Sequence, residues 1–477
     1  MPVRAGIAAF WLMATTPPIP EELWNQLPPA AQAAVLAVIT TLEARIAELE
    51  ARINQNSSNS SKPPSSDPPH VKPAPPRPTT GRRKGGQPGH PRHTRPALPP
   101  DEVVELRAGA CAHCQTPLRG DDPNPFVHQV IEIPPVRPHV TEYRRHRLTC
   151  PQCSRVRRAP LPVGVRSGYG VRVQAVCALL SGAYRIGKRG IARLCADLFG
   201  VPISPAAVCK LQYRTTDALA PVAAELRGQL PGRAANVDET GWYQRGKRRW
   251  LWAAVTRTAS VFVVGPSRGR EALSALVGAG PGVLTTDRYP VYDHVTGRAR
   301  QVCWAHLRRD FQAMIDRADE GSAIGEQLLA CADRLLWNWK RVRDGTLFRG
   351  EFHRLHLLAV QRQVEELLWR GRACGAEKTR HVCAELDRVY DSLWTFATTG
   401  EVEPTNNAVE RALRAGVCWR KTSFGTDSDQ GSRFVGRILS VVESCRQHGR
   451  NLLAFLTHTI QAVRNNTPPP ALILGHA

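Results

Sequence analysis

Residues 236–265 read NVDETGWYQRGKRRWLWAAVTRTASVFVVG, and this run decides the fold. Three segments rich in β-branched and aromatic residues, NVDETGWYQ, WLWAAVT and SVFVVG, read as consecutive strands. The basic stretch RGKRR is the turn between the first two. A helix, REALSALVG, follows, and two further strands open GVLTTDRYPVY and RQVCWAHLRRDF. Three strands, a helix and two strands give a mixed α/β order. Two acids sit oddly in it. Asp238 lies inside a strand-like run, and Asp287 ends the apolar run GVLTT. A carboxylate there is costly unless it is paired or faces a cation.

Downstream, residues 312–400 turn helical, with apolar stripes at Leu328, Leu335 and Leu336, at Leu355 and Leu358, and at Val364 and Leu367. PTNNAVERALR (residues 404–414) opens another helix. Val409 and Leu413 share an apolar stripe, while Glu410 and Arg414 share a different face. Asn407-x-x-Glu410 is close to a capping box, in which the acid reaches back to the cap's own N–H. An acid in a first turn also suits the helix dipole. The other reading makes Glu410 a working carboxylate. Two strand acids and one helix acid can converge on two Mg²⁺ ions, which favour oxygen ligands and serve phosphodiester chemistry.

Upstream the chain divides by composition. Residues 1–28 form a tail with a short apolar patch, AGIAAFWLMA. Within 29–55, Val35, Ile39, Leu42, Ile46, Leu49 and Ile53 repeat at heptad spacing, which predicts a coiled coil and self-association. Residues 56–104 form a linker; in 57–100, thirteen of 44 residues are proline and eight are Lys or Arg. Such a segment buries too little to order itself, and its cluster Arg82, Arg83, Lys84 suits phosphate contacts. In 105–160, Cys111-x-x-Cys114 and Cys150-x-x-Cys153 have the spacing of a four-thiolate zinc ribbon holding one structural ion, with VHQVIEIP and VTEYRRHRL as strands. In 161–230, KRGIARLCADLFGVPISPAAVCKLQ is laid out as a helix-turn-helix. Ile191, Leu194, Cys195 and Leu198 line one helix, Gly200-Val201-Pro202 makes the turn, Ser204 and Pro205 open the second helix, and Val208 and Leu211 face inward. Lys188, Arg189, Lys210 and Arg214 are left for DNA. Residues 231–466 hold the α/β domain, with a helical insertion at about 312–402, and 467–477 are a tail.

A net charge of +23 points to a polyanionic partner. No run of about 20 apolar residues is evident, so no membrane span is expected. The remaining cysteines are scattered singly in apolar settings, as reduced thiols in a cytosol are.

With these motifs in place, the chain resembles the bacterial insertion-sequence transposases of the IS-sixty-six family over nearly its whole length. SSNSSKPPSSD and GGQPGH match the linker of that family. CAHC and CPQC match its zinc ribbon. VDETGW, TDRYPVY, CWAHLRRDF and NNAVERALR match its catalytic blocks in order. The resemblance implies an RNase H-like fold with a helical insertion before the last acid, and Asp238, Asp287 and Glu410 as the metal-binding triad for two Mg²⁺ or Mn²⁺ ions. Asp293 and Asp310 rank lower. Cys303-x-x-His306 has the spacing of a zinc half-site but no partner pair nearby, so packing and strand capping are the expected roles. The implied function is a cytoplasmic, nucleoid-associated DNA transposase that binds terminal repeats as a homo-oligomer, possible accessory proteins included. A binding-only protein with an inactive catalytic domain, or a nuclease without strand transfer, are the alternatives.

Overall fold

The computed structural model describes residues 21–56, 60–62, 95–165, 167–278, 282–295 and 297–473. Arg82, Arg83 and Lys84 lie outside them. Helix α1, Pro29–Ile53, leaves Leu36, Leu42, Ile46, Leu49 and Ile53 exposed. Within residues 29–51 an 18-residue stretch, at mean hydropathy 1.4, is long and apolar enough to cross a bilayer by length and composition alone. Glu43, Arg45, Glu48 and Glu50 interrupt that helix, so it holds no unbroken apolar run of spanning length. All four belong to the second half of the helix.

Residues 95–165 carry little regular structure. Strands β1, Arg147–Thr149, and β2, Val156–Arg158, pair antiparallel. The alternating run VHQVIEIP forms no strand, and Val127, Val130 and Ile133 stay exposed. Alternation needs a partner strand and a core to cover one face, and this run has neither among the described residues.

Helices α2 (Val171–Gly182), α3 (Lys188–Phe199), α4 (Pro205–Ala218) and α5 (Ala220–Gly228) follow. The α3–α4 junction is built as its residues dictate. Gly200 takes φ +61°, and Ser204 Oγ accepts from Ala207 N–H at 3.2 Å. Ile191, Cys195, Val208 and Leu211 are buried together. Leu198 is instead 57% exposed, because Ile191 and Cys195 alone turn toward α4.

The sheet has five strands in the order β5-β4-β3-β6-β7. They are β3 (Ala235–Gln244), β4 (Lys247–Val255), β5 (Ser260–Gly265), β6 (Leu284–Thr286) and β7 (Arg300–Val302), with α6 (Arg270–Val277) between β5 and β6. β3, β4 and β5 run antiparallel; β6 pairs parallel with β3, and β7 parallel with β6. The turn from β3 to β4 is only Arg245-Gly246, both at positive φ, as two-residue hairpins require. Lys247, Arg248 and Arg249 therefore belong to β4, not to the turn.

Alternation along β3 sends Val237 to one face and Trp242 to the other. On the first face, Val237 and Trp252 pack with Ala175, Leu219, Val222 and Leu226 from α2 and α4–α5. On the second, Trp242, Leu251 and Ala253 pack against Val409, Ala412 and Leu413 of α11 (Asn407–Ser423). The β5 edge is closed by α12 (Asp429–Gln447): Ser440 Oγ accepts from Phe262 N–H at 2.8 Å and Ser444 Oγ from Ser260 N–H at 3.0 Å. A covered edge cannot recruit a further strand. Helix α13, Leu452–Arg464, completes this side.

Between β7 and α11 the chain makes an excursion with a core of its own. Helices α7 (Trp304–Asp316), α8 (Ser322–Arg343), α9 (Leu358–Ala373) and α10 (Glu377–Arg388) bury Phe311, Leu328, Leu335, Leu367 and Leu368 with Trp394 and Phe396. Leu355 and Leu358 are exposed, against their expected place on a buried stripe. A wide π-helical turn at Phe352–Leu357 shifts the register and turns Phe352 and Leu357 inward instead. The excursion closes where it began, with Trp304 N–H donating to Pro404 O at 2.9 Å.

Candidate active site

β3 and β6 are adjacent and parallel, with Asn236 opposite Thr285. Asp238 and Asp287 each stand two residues beyond that pair. Asp238 lies within β3 and Asp287 one residue past the end of β6, so continuing that register puts them side by side on one face, and the charge of Asp287 acts on Asp238. The same face carries α11. Its Gly416 admits this packing, since a Cβ there would collide with Leu251 Cδ2. The start of α11 is pinned to the end of β7: Cys303 is fully buried, its N–H donates to Thr286 O at 2.8 Å, and its Sγ accepts from Asn406 N–H at 3.2 Å. Packing and capping are thus what Cys303 does here.

Glu410 lies one turn into α11, toward His306, and its Oε1 is 3.6 Å from His306 Nδ1. The capping box is not formed. The cap position is Asn406, without a side-chain cap bond, so Glu410 is the fourth helical residue and too far along to reach back.

Electrostatics tie the acids together. Burial raises the Asp238 carboxyl well above the ordinary range, and the charges of Glu239, Asp287 and Glu410 raise it further. Glu239 N–H donates to Asp238 Oδ1 at 2.8 Å, and Tyr289 N–H to Asp287 Oδ1 at 2.9 Å. A buried carboxylate facing other carboxylates is the state a divalent cation relieves, and an all-oxygen donor set suits Mg²⁺ or Mn²⁺. Among the described residues no three acidic, His or Cys side chains already form a closed metal shell. The set is Asp238 on β3, Asp287 just past β6, and Glu410 on the helix over the same face.

Arginines surround this set. Glu239, on the opposite face of β3, is buried and holds Arg268 at 2.6 Å and Tyr292 Oη at 2.8 Å. Arg268 lies over the Tyr289 ring at 3.6 Å. Arg288 bridges Asp310 at 2.9 Å and Glu385 of α10 at 2.6 Å. Buried Arg300 donates to Asp287 O at 2.8 Å and pairs with Asp293 at 3.2 Å. Asp293 and Asp310 are therefore paired with arginine, although burial still raises the Asp310 carboxyl above its ordinary range. Sequence reasoning missed Glu239, Arg268, Arg288 and Arg300. The signal for Glu239 was its adjacency to Asp238, which alternation assigns to the other face.

The two Cys-x-x-Cys segments fold alike. Cys111 N–H donates to Thr116 O and Cys150 N–H to Arg155 O, both at 2.9 Å. Gln115 and Ser154, one residue past each second cysteine, take φ of 61° and 57°. Hydrogen bonds, from Thr116 for Cys114 and from the Cys153 backbone for Cys150, hold those thiols below their ordinary value. Thiolate is the metal-binding form. Each knuckle fits half a zinc site; the two are not joined into one four-thiolate centre in this structure. Lys188, Arg189, Lys210 and Arg214 are all exposed, on α3 and α4.

Acids on a mixed sheet, preceded by cysteine knuckles in a strongly basic chain, suit work on a polyanion such as DNA. Comparison with known families is consistent with this. A model described as Transposase IS66 family matches residues 166–433, and one described as zinc-finger binding domain of transposase IS66 matches residues 109–154. A family of unknown function matches residues 6–96. The chain belongs to the IS66 family of transposases. It is also similar to two uncharacterized proteins of Sinorhizobium fredii. One, y4qI, is 25% identical over 46% of this chain and 45% of its own length. The other, y4hP, is 23% identical over 71% of this chain and 68% of its own length.

Proposed function

We propose that the chain is the DNA transposase of an insertion sequence, with Asp238, Asp287 and Glu410 as the ligands of two Mg²⁺ or Mn²⁺ ions. The observation that carries this is that buried Asp238 on β3 feels the charges of Asp287, just past parallel β6, and of Glu410, on the helix packed over the same face. The strand order, three antiparallel strands followed by two parallel ones, supports an RNase H-like core interrupted by the insertion. Bound ions supply activation of the attacking oxygen and stabilisation of the leaving one. The chain's own residues do the rest. His306 orients Glu410, Tyr289 N–H orients Asp287, and Arg268, Arg288 and Arg300 hold the surrounding acids in place. The reaction is hydrolysis at the element ends, freeing a 3′-hydroxyl that attacks a target phosphodiester in line.

In this reading the cysteine knuckles close on one structural Zn²⁺ and, with α3–α4, recognise the terminal repeats. The residues 82–84 add salt-dependent, sequence-independent affinity. The exposed heptad face of α1 pairs protomers, as holding two DNA ends demands. The protein then works in the cytoplasm, at the nucleoid.

The test is cleavage and strand transfer on labelled DNA bearing the flanking repeats, with Mg²⁺ or Mn²⁺, comparing wild type with Glu410→Gln. Loss of nicking with DNA binding retained is the expected result. Equal activity in both removes Glu410 from the triad. Cleavage without joining makes the protein a nuclease, and tight binding with no cleavage in either makes it binding-only.

A further inference from the structure

Away from the acids, at the other end of α11, is a second concave site. It has a volume of about 530 Å³ and is lined by Tyr243, Arg245, Arg420, Lys421, Phe424 and Asp427, among others. Three cations face one acid there. Phe424 is 85% exposed, although a large apolar side chain normally seeks cover. It also takes φ +58°, a left-handed conformation rare for any non-glycine residue.

The surroundings enforce that conformation. Phe424 caps α11, its N–H donating to Arg420 O at 2.9 Å. The next residues are stitched to the β3–β4 hairpin: Thr426 N–H donates to Tyr243 O at 2.9 Å, and Arg245 N–H to Thr426 O at 2.7 Å. Gly425 allows this, since a Cβ there would collide with the Tyr243 carbonyl. Arg420 is held against Gly241 O and Thr240 Oγ1. An exposed ring fixed in a costly backbone state, on a rigid mount and ringed by cations, is the arrangement of a ligand clamp.

We propose that this cleft takes one unpaired base of the DNA strand that runs through the acid site, its ring stacked on Phe424 and its flanking phosphates on Arg245 and Lys421. The proposal rests on the transposase reading. Stacking on an aromatic face is sequence-tolerant and needs a base out of its duplex stack, while the arginine and lysine charges suit the backbone. One helix links both sites. From Glu410 to Phe424, α11 advances about 21 Å at 1.5 Å per residue. At 3.4 Å per nucleotide that places the unpaired base roughly six nucleotides from the scissile phosphate.

The test measures binding of the full chain to a fluorescein-labelled duplex with a short single-stranded tail, and to the same duplex blunt-ended. Phe424→Ala should weaken binding to the tailed DNA by roughly five- to a hundredfold and leave the blunt duplex unchanged. Phe424→Tyr should bind as wild type does, and Lys421→Ala should weaken both probes. Since Phe424 lies on the surface, thermal melts should be alike for all variants. The proposal is overturned if Phe424→Ala binds the tailed probe as wild type does, or loses both probes equally. A wild-type chain that binds neither probe overturns this proposal and the transposase reading together.

Discussion

His306 Nδ1 lies 3.6 Å from Glu410 Oε1 and is buried without a hydrogen-bond partner. Burial, reinforced by Arg309, lowers the ring's pKa to about 4, so it is neutral at physiological pH. A neutral imidazole that closes this short gap fixes the carboxylate without competing for its charge.

His306→Ala should therefore raise the Mg²⁺ concentration needed for half-maximal nicking by roughly 10–100-fold, the usual cost of losing a group that orients a metal ligand. Titrating Mg²⁺ against nicking rate checks this. An unchanged requirement removes His306 from the site.

The raised Asp238 carboxyl gives a pH dependence with a definite sign. Its folded-state pKa exceeds the unfolded one. The stability it contributes is full below the ordinary carboxylate range and is lost as pH rises through the raised folded value. Without divalent ions, Asp238→Asn, permanently neutral, should lose less thermal stability than wild type as pH rises above the ordinary carboxylate range. Mg²⁺ should raise the Tm of wild type at the higher pH and leave the variant unmoved. Thermal melts in both buffers, with and without Mg²⁺, decide it.

Gly436 on α12 sits against the β5 edge, and a Cβ there would come within 2.8 Å of Phe262 O, a backbone atom that cannot swing away. Gly436→Ala should cost about 1–3 kcal/mol by overpacking. Urea unfolding measures it; a wild-type midpoint would show that the helix slides without penalty.

Cys153→Ser should abolish stoichiometric zinc in the purified protein and weaken binding to the terminal repeats, while leaving the fold of 167–473 intact. Elemental analysis and circular dichroism report the two effects separately. Equal zinc in wild type and variant would refute the shared four-cysteine centre.

Much of this was legible in the sequence because local rules agreed with the tertiary outcome. The strand order around 236–265, the Ser204 cap and the burial of Val208 and Leu211 follow from pattern and turn chemistry alone. The misreadings have physical causes. Leu355 and Leu358 were misplaced because a π-turn carries no clear sequence mark. The VHQVIEIP run alternates like a strand, but alternation cannot reveal a missing partner. Glu410 looked like a cap because a one-residue shift of the helix start, from Asn407 to Asn406, is invisible to spacing. The buried Arg268–Glu239–Tyr292 group escaped notice because three-body contacts far apart in sequence leave no periodic trace.

Trp304 and Pro404 touch, so the 99 residues between them leave and rejoin the sheet at a single doorway. Deleting that excursion and joining its ends with a short turn would remove most of a second hydrophobic nucleus, and His306 with it, without cutting a strand of the sheet. This makes it a cassette. It can lengthen, shrink or be exchanged over evolutionary time while Asp238 and Asp287 keep their places, provided its ties to their surroundings are kept: Asp310 and Glu385 on Arg288, Arg388 on Asp293, and His306 beside Glu410.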